Sequence, residues 1–203
     1  MKNVFVLAAG FAALGLVACG QSTSSTESSA SNSETSAPTA QPAASVDEEF
    51  EALKAVKAPD ACALLTPEKL KVVYPDLTFE VHQNIAPQMS GYVWDSRCVY
   101  WAGVGTVEFA KDAPTHTVEL FIATSATPSR AQKNLASRRE MAAGNSNFQA
   151  QAALGSDAHT TTDTGVAHLF FVKDQSEIQI NISSLNAPNA QKVEEALALG
   201  KSL

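Results

Sequence analysis

In residues 176–183, every second residue is an isoleucine and the residues between the isoleucines are mostly polar. The isoleucines are Ile178, Ile180 and Ile182, and the polar residues between and before them are Glu177, Gln179 and Asn181. Because neighbouring side chains of a strand point to opposite faces, this alternation predicts a strand with one buried face and one wet face. A second extended run, 166–173, lies just before it, so we predict a β-hairpin.

The rest of the chain predicts more strands and several helices. Further strands are indicated by β-branched and aromatic residues at 78–82, 97–102, 106–110 and 116–124. A helix begins at Thr66-Pro67-Glu68, a second covers 128–143 behind the cap Thr127, and a last one covers 189–199. Helices packed on one face of an antiparallel sheet form an α+β fold, which we predict for a single domain over 47–203.

The start of the chain has the order of an export signal. Lys2 supplies a positive charge, residues 4–17 are apolar, and Val17 and Ala18 directly precede Cys19. An apolar run of this length is too short to span a bilayer as a mature helix. We therefore predict a signal peptide over 1–18, with cleavage before Cys19.

This end of the signal resembles the lipobox of bacterial lipoproteins. The resemblance implies that Cys19 carries lipid and anchors the protein in a membrane; a plain secretory signal with a chance cysteine is the alternative. Gly20 follows the cysteine, where no Asp stands. That is similar to the default of transfer to the outer membrane, facing the periplasm. In a host with one membrane, the same anchor places the domain at the cell surface.

Composition adds a tether and excludes nucleic acid as a partner. Residues 19–46 are almost wholly small or polar, and such a segment cannot bury enough surface to fold, so we predict a flexible tether. Without residues 1–18, whose only charge is on Lys2, 13 basic and 21 acidic side chains remain, a net charge of -8. Neither nucleic acid nor anionic lipid attracts such a surface, so attachment to the membrane depends on the lipid.

The three cysteines divide into one for lipid and a pair. With Cys19 lipidated, Cys62 and Cys98 remain in an oxidising compartment, where an even pair predicts a disulfide. A redox-active pair would favour close C-x-x-C spacing, which these two residues lack.

Three segments then occur in a familiar order: CALLTPE at 62–68, CVYW at 98–101 and ALGSDA at 153–158. Their order resembles that of a family of exported bacterial lipoproteins of unknown function, over residues 58–203. The resemblance implies a fold of the Mog1/PsbP type, an antiparallel sheet with helices packed on it. The family has no agreed catalytic residues, so the resemblance implies no mechanism.

Two surfaces are candidates for contact with a partner. The segment 84–95 is rich in Pro, Ser and Gly and is predicted to be irregular, with Met89, Tyr92 and Trp94 as contact residues. The alternative is that its aromatic residues fold back onto the core as a lid. On the helix after Thr127, Arg130 and Lys133 are a candidate anion contact, and a solvated helix face explains them equally well.

The sequence contains no motif for catalysis, a metal or a cofactor, so we predict none of these. His116 and His168 could bind a metal together if their strands were adjacent, or act in a hydrolase if a carboxylate lay beside them. We predict a non-catalytic binding module whose partner is an unidentified envelope protein. The alternative is a small-ligand binder or carrier that uses the cleft between sheet and helices, and a hydrolase is the third hypothesis.

Overall fold

The structure of the protein, a computed structural model, describes residues 45–103 and 113–203. The predicted signal peptide, the lipidation site Cys19, most of the tether and the predicted strand 106–110 lie outside the described residues. Within the described ranges, no helix combines the length and the apolar composition that crossing a membrane requires.

Helices and strands alternate irregularly along the chain, as expected for an α+β fold. The helices are α1 (Val46–Lys54), α2 (Ala61–Leu64), α3 (Pro67–Val73), α4 (Pro128–Ala142) and α5 (Asn189–Ser202). The strands are β1 (Phe79–Ser90), β2 (Val93–Ala102), β3 (His116–Thr124), β4 (Gln149–Ala150), β5 (His159–Asp163), β6 (Val166–Lys173) and β7 (Ser176–Ser184). Neighbouring strands run antiparallel in one sheet, in the order β1-β2-β3-β7-β6-β5-β4.

One face of this sheet, here called the closed face, carries the hydrophobic core. Ile178, Ile180 and Ile182 of β7 are buried there, as the alternation predicted. Helix α5 lies over this face and approaches it closely at Gly200, where an added Cβ would come 2.8 Å from Leu169 Cδ2. A glycine is therefore needed at this position so that the helix can pack directly on β6.

The opposite face, here called the open face, is contacted by α4. Arg138 forms an ion pair of 2.6 Å with Glu177, and its guanidinium lies 5.2 Å from the ring centroid of Phe170. Glu177 and Phe170, the two residues that Arg138 contacts, alternate with core residues along their strands and therefore point away from α5. The predicted α+β class, with an antiparallel sheet, packed helices and one disulfide, is confirmed. It is refined in that α4 packs on the other face, over the end of β6 and β7.

The predicted disulfide is confirmed and ties α2 to the sheet. Cys62 of α2 and Cys98 of β2 are joined with their Cα atoms 5.0 Å apart. Two hydrogen bonds hold the same region. The Tyr100 hydroxyl donates to the Leu65 carbonyl at 2.5 Å, and the Ser96 hydroxyl donates to the Pro59 carbonyl at 2.9 Å.

The prediction that 84–95 is irregular is wrong. Residues 79–90 form the long edge strand β1, which turns at Gly91-Tyr92 into β2. The register of the pair shifts between Val81 and Gln83 and again between Ile85 and Gln88. Such bulges, and a position at the sheet edge, let a strand accommodate Pro87 and its polar neighbours.

Candidate functional site

The predicted contact residues of the β1–β2 hairpin lie beside α1. Met89 pairs with Trp94 across the hairpin, and the Trp94 indole N–H donates to the Leu53 carbonyl of α1 at 2.9 Å. Tyr92, at the turn, keeps 51% of its surface exposed and makes an edge contact with Phe50, with ring centroids 6.1 Å apart. Helix α1 therefore occupies part of the surface that the sequence predicted for a partner.

The second predicted surface also meets α1. Arg130, in the first turn of α4, forms an ion pair of 3.5 Å with Glu49 of α1. Lys133, one turn further on, is exposed. The structure thus brings the hairpin tip and Arg130 against the same helix, where the predicted anion contact is engaged by a carboxylate of the chain itself.

The two histidines that could have bound a metal together on adjacent strands do not meet. His116 lies on β3 and His168 on β6, and β7 runs between these strands. Their side chains point to opposite faces of the sheet. His116 lies two residues from Val118 and points to the closed face with it, whereas His168 is the neighbour of buried Leu169 and therefore points to the open face. In the described part of the chain, no group of three or more His, Cys, Asp or Glu side chains is placed to hold a metal ion.

His116 lies at the rim of the closed face. Its ring lies at a T-shaped angle to that of Tyr74, with centroids 6.1 Å apart, and the Tyr74 hydroxyl donates to Glu195 at 2.9 Å. Burial lowers the pKa of His116, and the charge of Glu195 opposes this effect. Burial, followed by the charge of Glu195, raises the pKa of Tyr74. This group stabilises a neutral ring against the core.

On the open face, polar side chains of five sheet positions form one hydrogen-bonded row. We call it the polar row, and its members are Arg97, Glu119, Asn181, His168 and Asp163. Arg97 of β2 pairs with Glu119 of β3, whose other oxygen accepts from Asn181 of β7 at 3.0 Å. His168 of β6 follows, with its Nδ1 2.7 Å from the Asn181 oxygen and its Nε2 3.1 Å from Asp163.

Both ring nitrogens of His168 face acceptors. Asn181 turns its amide nitrogen to the Glu119 carboxylate, which only accepts, so the Asn181 oxygen is left for His168. The other neighbour, Asp163, is also a carboxylate. Both ring nitrogens of His168 are therefore within hydrogen-bond distance of a neighbouring side chain. The hydrogen bond from His168, and then its charge, hold the pKa of Asp163 below its ordinary value.

The turn that carries Asp163 is strained and braced. Thr164 and Gly165 connect β5 to β6 with φ values of 33° and 85°. Positive φ is rare for a β-branched residue, and such strain persists only where the surroundings enforce it. Buried Lys192 of α5 supplies part of that support, since its ammonium donates to the Gly165 carbonyl at 2.6 Å. The position of Asp163 beside His168 is therefore fixed from the other side of the sheet.

The polar row is partly exposed and alternates basic with acidic groups. Side-chain exposure is 41% for Arg97, 19% for Glu119 and 18% for His168. Arg97 and His168 alternate with the carboxylates of Glu119 and Asp163 across the sheet, with the Asn181 amide between Glu119 and His168. A second amide, Gln179, donates to the Asn181 oxygen at 2.9 Å. The row thus presents fixed donors and acceptors to solvent.

An aromatic pair lies on the same face, near the β2 end of the row. The rings of His82 and Trp101 stack with centroids 3.3 Å apart and planes at 9°. Trp101 alternates with buried Tyr100, so it points to the open face, where 36% of its surface remains exposed. It lies two residues along β2 from Val99, which pairs with Glu119.

Sequence reasoning identified only parts of this site. The wet face of β7 pointed to Gln179 and Asn181, and His168 was considered for other chemistry. Arg97, Glu119 and Asp163 were missed, because each lies on a different strand and only the strand order brings them together. The available signal for Arg97 and Glu119 was strand parity, since each alternates with apolar positions of its strand; Asp163 had no such signal, because its neighbours on β5 are threonines.

A separate cavity lies on the helix side of the sheet. It has a volume of about 430 Å³ and opens between α5 and the segment leading into β4. Its lining is mostly polar and includes Asn147, Thr162, Asn189, Glu194 and Leu197. This is the place in the described structure that corresponds to the predicted cleft between sheet and helices.

No family model matches the chain, and no curated protein sequence matches it. Among solved structures, it is similar to the crystal structure of the extracellular domain of PknH from Mycobacterium tuberculosis, with 14% sequence identity and a TM-score of 0.47. The alignment covers 79% of this chain and 96% of that chain. A likeness of this degree carries no functional conclusion.

Proposed function

We propose that the protein is an exported, non-catalytic binding module that recognises a component of the cell envelope through the polar row. The observation that carries this proposal is the row itself: charged and amide side chains that are hydrogen-bonded to one another yet keep part of their surface in water. Polar groups fixed in this way need no reordering when a ligand binds, which lowers the entropic cost of binding.

The disulfide and the sequence support the location that we propose. Disulfides persist in oxidising compartments, so the bond between Cys62 and Cys98 supports a domain outside the cytoplasm. The resemblance of the segment before Cys19 to a lipobox supports lipid on this cysteine, and the predicted tether 19–46 supports a domain held near a membrane but free to search. We place the protein on the outer membrane facing the periplasm, or on the cell surface of a host with one membrane.

Binding is favoured over hydrolysis by the hydrogen bonds of His168. The carboxylate that a hydrolase would need is present, because Asp163 lies 3.1 Å from the ring. A general base, however, needs a ring nitrogen that can accept a proton. Both nitrogens of His168 lie within hydrogen-bond distance of Asn181 and Asp163, so neither is left free for a substrate and the ring serves to orient its neighbours.

Photocrosslinking in living cells tests the proposal. Thr161 of β5 pairs with His168 and lies two residues before Asp163, so a photoreactive phenylalanine analogue at this position faces a ligand bound to the row. Exposed Ala198 of α5, on the far side of the sheet, is the matched control position. With the full lipidated chain, we expect adducts from position 161 and none from position 198.

Two outcomes would overturn the proposal. A third probe, at Tyr92 of the hairpin tip, tests the surface that the sequence indicated, and adducts from 92 without adducts from 161 would assign binding to the hairpin. If neither 161 nor 92 gives adducts, with the protein folded and in the membrane fraction, a binding function at either surface is contradicted.

A further inference from the structure

We infer that the ligand of the polar row is an uncharged oligosaccharide, which stacks on Trp101 and hydrogen-bonds along the row. The inference rests on the proposed binding function and adds the chemical class of the ligand. Three properties of the open face support it: the balance of basic and acidic groups, the aromatic surface at one end, and the fixed geometry of the row.

The balance of basic and acidic groups selects against ions. Each basic group of the row, Arg97 or His168, already has a carboxylate partner in Glu119 or Asp163. An anionic ligand would therefore meet two carboxylates, and a cationic ligand would meet the Arg97 guanidinium. Hydroxyl groups both donate and accept, so a polyol matches such an alternation at every step without leaving a charge unpaired.

The aromatic surface supplies what a polyol chain needs besides hydrogen bonds. A pyranose ring has an apolar face of C–H groups that packs against an indole, and binding sites commonly combine such aromatic contacts with a few fixed polar groups. Trp101 is held flat by its stack with His82 and stays partly exposed. It lies two residues along β2, about 7 Å, from Val99, the cross-strand partner of Glu119, and four residues, about 13 Å, from Arg97.

The dimensions indicate more than one sugar ring. The row crosses β2, β3, β7 and β6, and three spacings between neighbouring strands amount to about 14 Å. A monosaccharide on Trp101 would leave the His168 end of the row without a ligand. A chain that runs across the strands contacts both ends.

Fixed geometry distinguishes this face from an ordinary solvated surface. Asp163 is positioned by a strained turn that buried Lys192 holds from the closed face. The Asn181 amide is fixed by contacts with Glu119, Gln179 and His168. Strained and over-determined positions are typical of functional sites, where they hold groups ready for a ligand.

Tryptophan fluorescence of the purified full chain provides the assay. The chain has two tryptophans, so Trp94→Phe leaves Trp101 as the reporter. The probes are linear oligosaccharides of glucose, mannose and N-acetylglucosamine, each with a uronic-acid or sulfated counterpart of the same length. We expect at least one neutral series to change the emission saturably, with affinity rising from monosaccharide to longer chains.

Two variants and a control variant distinguish binding at this site from nonspecific binding of the oligosaccharide. The affinity of each of the three variant chains is measured by calorimetry. Trp101→Ala is expected to weaken binding at least about tenfold, since central aromatic residues dominate interfaces. Tyr92→Ala, an exposed aromatic at the hairpin tip, is expected to change binding less than twofold. Glu119→Gln leaves Arg97 without its counter-charge and is expected to shift preference toward the acidic counterparts.

The result that would overturn the inference is tighter binding of the acidic series by the unmodified chain, or no binding of any neutral series. An unchanged affinity of the Trp101→Ala variant would overturn it too. These failures are distinguishable from failure of the proposed function. Adducts from position 161 in cells, combined with no oligosaccharide binding, refute the saccharide but retain a binding module, and adducts identified as protein do the same.

Discussion

The closed and open faces of the sheet are made by alternate residues of the same strands, and they differ in composition, cover and geometry. On β7, Ile180 is buried under the helices, whereas its neighbours Gln179 and Asn181 join a hydrogen-bonded row that reaches solvent. The closed face is also tied to α2 by the disulfide between Cys62 and Cys98. We infer that stability is concentrated on one face, which leaves the other free to be polar and to bind.

Removal of the disulfide is expected to have the largest effect on stability. The bond closes a separation of 36 residues, and the chain-entropy model assigns about 4 kcal/mol to such a loop. We expect Cys62→Ala combined with Cys98→Ala to lower the free energy of unfolding by about this amount in urea denaturation. A loss below about 1 kcal/mol would show that the closed face does not depend on this link.

A matched pair on β7 compares the two faces directly. Ile180→Ala leaves a cavity in the core and is expected to cost about 3 kcal/mol. Gln179→Ala removes one hydrogen bond at a partly exposed site and is expected to cost less than about 1 kcal/mol. Urea denaturation of both variants checks this, and equal losses would break the division between the faces.

The part of the open face under α4 is expected to behave as an intermediate case. Arg138→Ala leaves the buried carboxylate of Glu177 without its partner, at a cost of about 2 kcal/mol, reduced from that of a fully buried pair because Arg138 is half exposed. Arg138→Met combined with Glu177→Gln removes both charges and is expected to be closer to neutral. If the double variant is as unstable as the single one, loss of packing by α4 explains the effect instead.

The pH dependence of Asp163 gives the smallest effect. Its pKa is lowered in the folded state by His168, so the stabilisation is complete above the ordinary value of 3.8 and is lost as the pH falls through the lowered one. In an NMR titration of the side-chain carboxyl carbon, we expect a midpoint below 3.8 for the unmodified chain. His168→Ala should return the midpoint to the ordinary value, and an unchanged midpoint would contradict the contact.

The sequence predicts those parts of the fold well whose signal is local. The alternation in β7 lies within a few residues, and so do the cap Thr127 and the proline at the start of α4. The two remaining cysteines allow only one intramolecular pairing. The structure confirms the cap, since the Thr127 hydroxyl accepts from the Arg130 backbone N–H. The predicted last helix is confirmed as α5, on which Val193, Ala196 and Gly200 are buried.

The open face could not be predicted in the same way. Arg97 and Glu119 meet only because β2 pairs with β3, and Asn181 reaches His168 only because β7 runs between β3 and β6. Strand β5 was missed because His-Thr-Thr-Thr-Asp has no apolar alternation and draws its support from β6. Edge strand β1 was cut short in the prediction because Pro87 and its polar neighbours are typical of loops.

The central claim is that the polar row binds a ligand rather than supporting the fold, and Asn181, which joins Glu119 to His168, tests it most directly. The measurement is the yield of in-cell photocrosslinking from position 161 in the Asn181→Ala chain, normalised to the amount of folded protein. We expect this yield to fall to the level of the control position 198, while the free energy of unfolding changes by less than about 1 kcal/mol. An undiminished yield, together with a loss of stability as large as that of Ile180→Ala, would contradict it.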